Sequence, residues 1–199
     1  MKATLPAIFA LIAIYSAARA ELPAGATLVQ QISWAATKPA DGVAHNDGPD
    51  GASYVTLTNA DSKPKNLPLW SADAPAIHGK YYALLGKVRF HDVKGASYVE
   101  LLNYFRDPAG PGEAITSHTY FTRTLSDKGP MAKLTGTSDW RPIALPFDAS
   151  AAKAAPKRLD LDLVLAGAGT VDLTDMTLVE FASPAAMWAA TGQPAPASK

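Results

Sequence analysis

Arg158-Leu159-Asp160-Leu161-Asp162-Leu163-Val164-Leu165 decides the fold class. On a pleated strand successive side chains point to opposite sides, so Leu159, Leu161, Leu163 and Leu165 share an inward face while Asp160 and Asp162 stay in water on the other. Wound into an α-helix, the same leucines would be scattered around the cylinder. Outward from this stretch, in both directions, a period near two recurs from about Thr27 to Phe181, in segments bounded by Gly, Pro, Asn or Asp. The strands it predicts are 27–34, 53–58, 81–91, 97–106, 117–125, 141–147, 158–165 and 170–181. Such a succession suits a two-sheet antiparallel sandwich.

The breaks between segments carry turn chemistry. Asn46-Asp47-Gly48-Pro49-Asp50-Gly51, Asp92-Val93-Lys94-Gly95, Asp107-Pro108-Ala109-Gly110-Pro111-Gly112 and Asp127-Lys128-Gly129-Pro130 supply residues that accept positive φ or fix it near −65°. Gly167-Ala168-Gly169 leads into a strand rather than a helix, so it is a tight turn and neither cradles phosphate nor binds a dinucleotide. One similarity is internal: Gly51-Ala52-Ser53-Tyr54-Val55 recurs as Gly95-Ala96-Ser97-Tyr98-Val99, with Leu57 and Asn59 matching Leu101 and Asn103. A propeller or solenoid needs three or more copies to bury its faces, so the pair marks two strands that leave tight glycine turns.

The 199 residues include 14 Gly, 16 Pro and no Cys, with 48% hydrophobic residues. That length supports one domain with an ample core. Without cysteine there is no disulfide scaffold, no Cys-ligated zinc or iron–sulfur site and no thiol nucleophile. The 18 basic residues balance 18 acidic ones, which argues against nucleic acid, whose backbone requires a basic stripe.

At the start, Lys2 precedes an apolar run from Leu5 to Tyr15, and Ala18-Arg19-Ala20 places small residues where a signal peptidase cuts. Residues 1–20 are therefore expected to be a signal peptide, too short to anchor the chain across a bilayer. Residues 21–182 follow as the β-sandwich domain, and 183–199 as a Pro/Ala-rich tail in which 185–190 has room for one or two helical turns. The expected location is periplasmic or secreted, with no transmembrane anchor in the mature chain.

No catalytic constellation stands out. His45, His78, His91 and His118 are widely spaced and form no helical metal pair. There is no Gly-x-Ser-x-Gly elbow, and the carboxylates that could serve a glycosidase, Glu100 with Asp139 or Asp175, are not brought together by spacing alone. The expectation is a protein that is not an enzyme and needs no cofactor.

What remains is a surface. Along 97–106 the pleat sends Val99, Leu101 and Phe105 to one side, and Tyr98, Glu100, Leu102, Tyr104 and Arg106 to the other. Aromatic rings beside charged donors and acceptors are what a sugar requires, for its C–H face and its hydroxyls respectively. Neighbouring strands could extend this face with Lys87, Arg89 and His91, and with His118 and Tyr120. The candidate ligand-binding residues are therefore Tyr98, Glu100, Tyr104, Arg106, Arg89 and Tyr120.

The run Gly136-Thr137-Ser138-Asp139-Trp140-Arg141-Pro142-Ile143-Ala144-Leu145-Pro146-Phe147 resembles the signature of galactose-binding-like jelly rolls, notably carbohydrate-binding modules of the family 4/9/22 kind. Gly169-Thr170-Val171-Asp172-Leu173-Thr174-Asp175-Met176-Thr177-Leu178-Val179-Glu180 looks like their closing strand, and the resemblance covers most of 81–180. It implies a two-sheet jelly-roll β-sandwich. It also implies a packing role for Trp140, and places Asp175 where such modules contribute to a structural calcium site, which would need six to eight oxygen ligands. The function expected is that of an exported, non-catalytic module that recognises carbohydrate or envelope glycan. The alternative is a structural or sensory envelope domain that uses the same sandwich to bind a protein partner and has no sugar site.

Overall fold

The computed structural model describes residues 22–34, 42–48, 53–106 and 116–193. The signal segment, the turn at 107–112, Gly51-Ala52 and the last residues of the tail lie outside the described residues. The described elements are β1 (Ala26–Gln31), β2 (Val43–Asp47), β3 (Ser53–Asn59), β4 (Lys65–Asp73), β5 (Tyr81–Arg106), β6 (Ser117–Arg123), β7 (Leu134–Asp148), β8 (Arg158–Leu165), β9 (Gly169–Phe181) and α1 (Pro184–Ala190).

All strand pairs are antiparallel, and they divide into two sheets. The first runs β2-β3-β9-β5-β7, with β1 beside the later part of β9; the second runs β4-β8-β5-β6. This is a jelly-roll β-sandwich. One strand belongs to both layers. The first half of β5 pairs with β7 and β9, and its second half, from Tyr98, pairs with β6 and β8. The crossing is made where Asp92 (φ 52°) and Gly95 (φ 74°) adopt left-handed backbone. Asp92-Val93-Lys94-Gly95 thus forms a corner between sheets rather than a hairpin, and the two strands predicted over 81–106 are one.

Between the layers lie the residues that the period of two points inward. Val55 and Leu57 of β3, Val88 and Phe90 of β5, and Val171 and Leu173 of β9 face Val99 and Leu101 of β5 and Leu159, Leu161, Leu163 and Leu165 of β8. Two strands escape the sequence pattern, β2 and β4. The latter contains Pro68, which cannot donate to a ladder; β4 tolerates it as the edge of the second sheet, with a register shift between Pro68 and Trp70.

After β9 the chain continues into α1, capped by the Ser183 hydroxyl accepting from the Ala186 N–H at 3.2 Å. Its Met187 is buried against Ala83, Val179 and Phe181, on the outer side of the first sheet. Residues 184–190 therefore pack on the sandwich.

Candidate functional site

The outward side of the second sheet can be read row by row, because directly opposed residues of antiparallel strands share a face. One row is Asn66, Val164 and Tyr98; the next is Pro68, Asp162, Glu100 and Arg123. Then come Ser71, Asp160, Leu102 and Phe121, and after them Asp73, Arg158, Tyr104 and Thr119. Arg106 and Ser117 close the grid. The opposite side of the same strands carries the buried leucines, which fixes this side as the outer one.

Hydrogen bonds lock the polar members in place. Arg123 Nε donates to Glu100 Oε1 at 2.6 Å, and its guanidinium lies 3.9 Å from the Phe121 ring centroid and 5.2 Å from that of Tyr98. Arg158 Nε donates to Asp160 Oδ1 at 2.7 Å, while the Ser71 hydroxyl donates to the same oxygen at 2.7 Å. Asn66 Nδ2 donates to Asp162 Oδ2 at 3.1 Å. Burial raises the Asp162 carboxyl above the usual carboxylate range, and the Asp160 charge adds to the effect while the Asn66 bond opposes it. Tyr104 is also raised, by burial first and then by Asp160. The result is a sheet face of apolar rings set among charges held in fixed positions.

Of the residues expected from sequence, Tyr98, Glu100, Tyr104 and Arg106 share this face. Glu100 is buried beneath Arg123, so it orients the arginine more than it meets solvent. Tyr120 is elsewhere. It opposes Asn103, points to the other side of β6 and packs against Phe105 and Phe147, where it remains 48% exposed at the edge of the sandwich. Arg89 is on the other sheet altogether, paired with Asp172 at 2.7 Å, because the corner at Asp92–Gly95 separates it from Tyr98. Lys87 and His91 go with it.

Asp175 accepts from Lys87 Nζ at 2.8 Å. Among the described residues no group of three or more His, Asp or Glu side chains could hold a metal ion, and the Asp175 carboxylate is engaged by Lys87.

Sequence reasoning missed Phe121, Arg123, Arg158, Asp160 and Asp162 as members of the face. The signal for β8 is present in the sequence, where alternation puts Asp160 and Asp162 on the side opposite the leucines. In β6 both faces hold an aromatic residue, Tyr120 on one and Phe121 on the other, so alternation alone could not say which faced out.

No protein-family model matches the chain, and no curated protein matches it. Among solved structures it is similar to a "Family 16 Carbohydrate Binding Module-2", at 16% identity and TM-score 0.41 over 70% of this chain and 86% of that one. A "Family 30 Carbohydrate Binding Module" is similar at 12% identity and TM-score 0.43, over 72% of this chain and 86% of that one. A "putative sugar binding protein from Bacteroides thetaiotaomicron VPI-5482" is similar at 12% identity and TM-score 0.42, over 72% of this chain and 85% of that one. The strand pairings described above define the jelly roll on their own.

Proposed function

We propose that the protein is an exported, non-catalytic module that binds carbohydrate on the outer face of its second sheet. The observation that carries this is the grid itself, in which Tyr98, Leu102, Tyr104 and Phe121 lie beside the fixed pairs Arg123–Glu100 and Arg158–Asp160. Rings accept the C–H face of a pyranose, and preorganised donors and acceptors meet its hydroxyls without a reordering cost. Tyr98 and Tyr104 are six residues apart on one strand, about 20 Å, which accommodates several linked sugar units. The acids are engaged as fixed acceptors, Glu100 and Asp160 by arginine and Asp162 by Asn66, which suits recognition better than proton transfer. Export is supported by the Lys2, Leu5–Tyr15 and Ala18-Arg19-Ala20 pattern; among the described residues no helix is long and apolar enough to cross a membrane.

The test is affinity electrophoresis and calorimetric titration against a panel of soluble polysaccharides and their oligosaccharides. At least one neutral glycan is expected to bind with micromolar affinity or weaker, and the double variant Tyr98→Ala with Tyr104→Ala to lose about tenfold or more, some 1.4 kcal/mol. Absence of binding to every glycan, or full affinity in the double variant, would overturn the assignment. A protein partner is the second reading. It is favoured by Phe121 at 55% and Leu125 at 45% exposure, in and just beyond the edge strand β6. Glycan-negative results together with a partner whose binding is lost in Phe121→Ala would establish it.

A further inference from the structure

The outer side of the first sheet carries a second cluster of the same chemistry. Its rows are Asn46, Tyr54, Thr174 and Lys87; then Ala44, Thr56, Asp172 and Arg89; then Thr58, Thr170 and His91. Asn46 Nδ2 donates to Thr56 Oγ1 at 2.9 Å, the Thr56 hydroxyl donates to Asp172 Oδ1 at 2.6 Å, and Arg89 Nε donates to Asp172 Oδ2 at 2.8 Å. This continuous chain crosses β2, β3, β9 and β5. It ends on β7 at Trp140, whose ring lies 4.8 Å from the Arg89 guanidinium carbon.

Plain alternation along β7 aims that tryptophan outward, since Leu145, Ile143 and Arg141 take the inward side opposite Leu84, Gly86 and Val88. Val88 opposes Arg141 and Phe90 opposes Ser138, so Arg89 alone faces both Asp139 and Trp140. Trp140 is consequently 37% exposed, in place of the packing role that the resemblance implied. Tyr54 meets it edge-on at 6.1 Å, and the Tyr54 ring centroid lies 5.7 Å from the Arg89 guanidinium carbon.

The two faces match in construction. On one, Arg123 is held by the buried Glu100 beside Tyr98 and Phe121; on the other, Arg89 is held by the buried Asp172 beside Tyr54 and Trp140. Tyr54 and Tyr98 are equivalent positions of the internal sequence similarity, Ser53-Tyr54-Val55 and Ser97-Tyr98-Val99. The apolar end of the first sheet's outer side is already covered by α1, through Ala83, Val179 and Phe181, and the cluster occupies the other end.

We propose that this end of the first sheet is a second saccharide-binding surface, centred on Trp140, Tyr54 and Arg89. Its ligand is a neutral glycan rather than a phosphate or uronate. The cations are matched by carboxylates, Lys87 by Asp175 at 2.8 Å and Arg89 by Asp172 at 2.7 Å, which leaves the aromatic rings and the exposed Thr58–Thr170 hydroxyl pair as the chemistry that faces a ligand. The ligand class rests on the carbohydrate reading of the first face, but the two surfaces lie on opposite sides of the sandwich and can be removed separately.

The experiment is calorimetric titration of the full-length mature chain with gluco-, xylo- and galacto-oligosaccharides, with an oligogalacturonate as the acidic probe. The proteins compared are the wild type, Trp140→Ala, Tyr54→Ala, and Tyr98→Ala with Tyr104→Ala. Circular dichroism on each variant checks the fold. A neutral probe is expected to bind at two sites per chain, with Trp140→Ala and Tyr54→Ala each weakening one of them about tenfold. One site per chain, unchanged in both Trp140→Ala and Tyr54→Ala but lost with the tyrosine pair, overturns this proposal and leaves the first face standing. One site lost only with Trp140→Ala upholds the proposal and removes the first reading. Preference for the oligogalacturonate at the Trp140 site overturns the ligand class, and no binding by any probe overturns both surfaces.

Discussion

Two polar residues sealed in the sandwich show what single side chains contribute. The Tyr82 hydroxyl donates to Asn103 Oδ1 at 2.8 Å, and Asn103 Nδ2 donates to the Leu101 carbonyl at 3.2 Å, with both residues fully buried. Removing the hydroxyl strands a buried acceptor, so Tyr82→Phe is expected to cost about 1–2 kcal/mol in urea unfolding. A cost within the error of the midpoint would show that the bond contributes nothing net. Asp162 gives a pH dependence of opposite sign to that of an ordinary paired carboxylate. Its folded-state pKa is raised by burial above the unfolded value of 3.8, so the folded chain holds the extra proton between those limits. Stability therefore falls as pH climbs through that window, and the loss persists above it. Urea midpoints taken from about pH 3.5 to about pH 6 should show this slope in the wild type and a shallower one in Asp162→Asn. Equal slopes in the two proteins would dismiss the effect.

At the scale of elements, the corner of β5 and the turn between β8 and β9 depend on each other. Lys94 N–H donates to the Ala168 carbonyl at 2.8 Å, and Gly169, at φ 151°, sits so close to the corner that a Cβ there would lie 2.6 Å from Val93 Cα. Backbone cannot step aside as a flexible side chain can. Gly169→Ala is therefore expected to destabilise by about 3 kcal/mol or more, whereas Gly136→Ala, at φ 76° with open space around it, should cost only about 1–2 kcal/mol of left-handed strain. Similar thermal-melt shifts for the two variants would refute the clamp. The same corner marks the limit of what the sequence discloses. Strict alternation in β8 identified its core leucines and put its acids on the opposite side, where Asp162 is nonetheless buried by its neighbours rather than left in water, and alternation in 97–106 placed Tyr98, Glu100, Tyr104 and Arg106 together. Alternation describes one strand at a time, however, and carries no information on which sheet a strand joins. Arg89 and Tyr98 are close in sequence and lie on different layers because Asp92 and Gly95 turn the chain between them. Trp140 was misplaced for a different reason: alternation with Ile143 and Leu145 puts it on the outer side, where it is exposed, but the resemblance assigns it to packing.

Across the whole molecule, stability must come from packing, since the chain has no cysteine to cross-link it. α1 is part of that packing although it follows the last strand. It has only seven residues, too few to persist alone, so its existence depends on the contact that Met187 makes with Ala83, Val179 and Phe181. Conversely, without the helix these three side chains would meet water. Met187 is completely buried, and Met187→Ala should cost about 2–3 kcal/mol in urea unfolding. The helix packs on the outer side of the first sheet, with the full thickness of the core between it and Tyr98 and Tyr104. Glycan affinity at those tyrosines should therefore be unchanged in Met187→Ala under conditions where the variant is folded. A stability loss below about 0.5 kcal/mol would show that α1 is a loosely attached end, and a matching loss of affinity would show that the two sheets are coupled through the core rather than independent platforms.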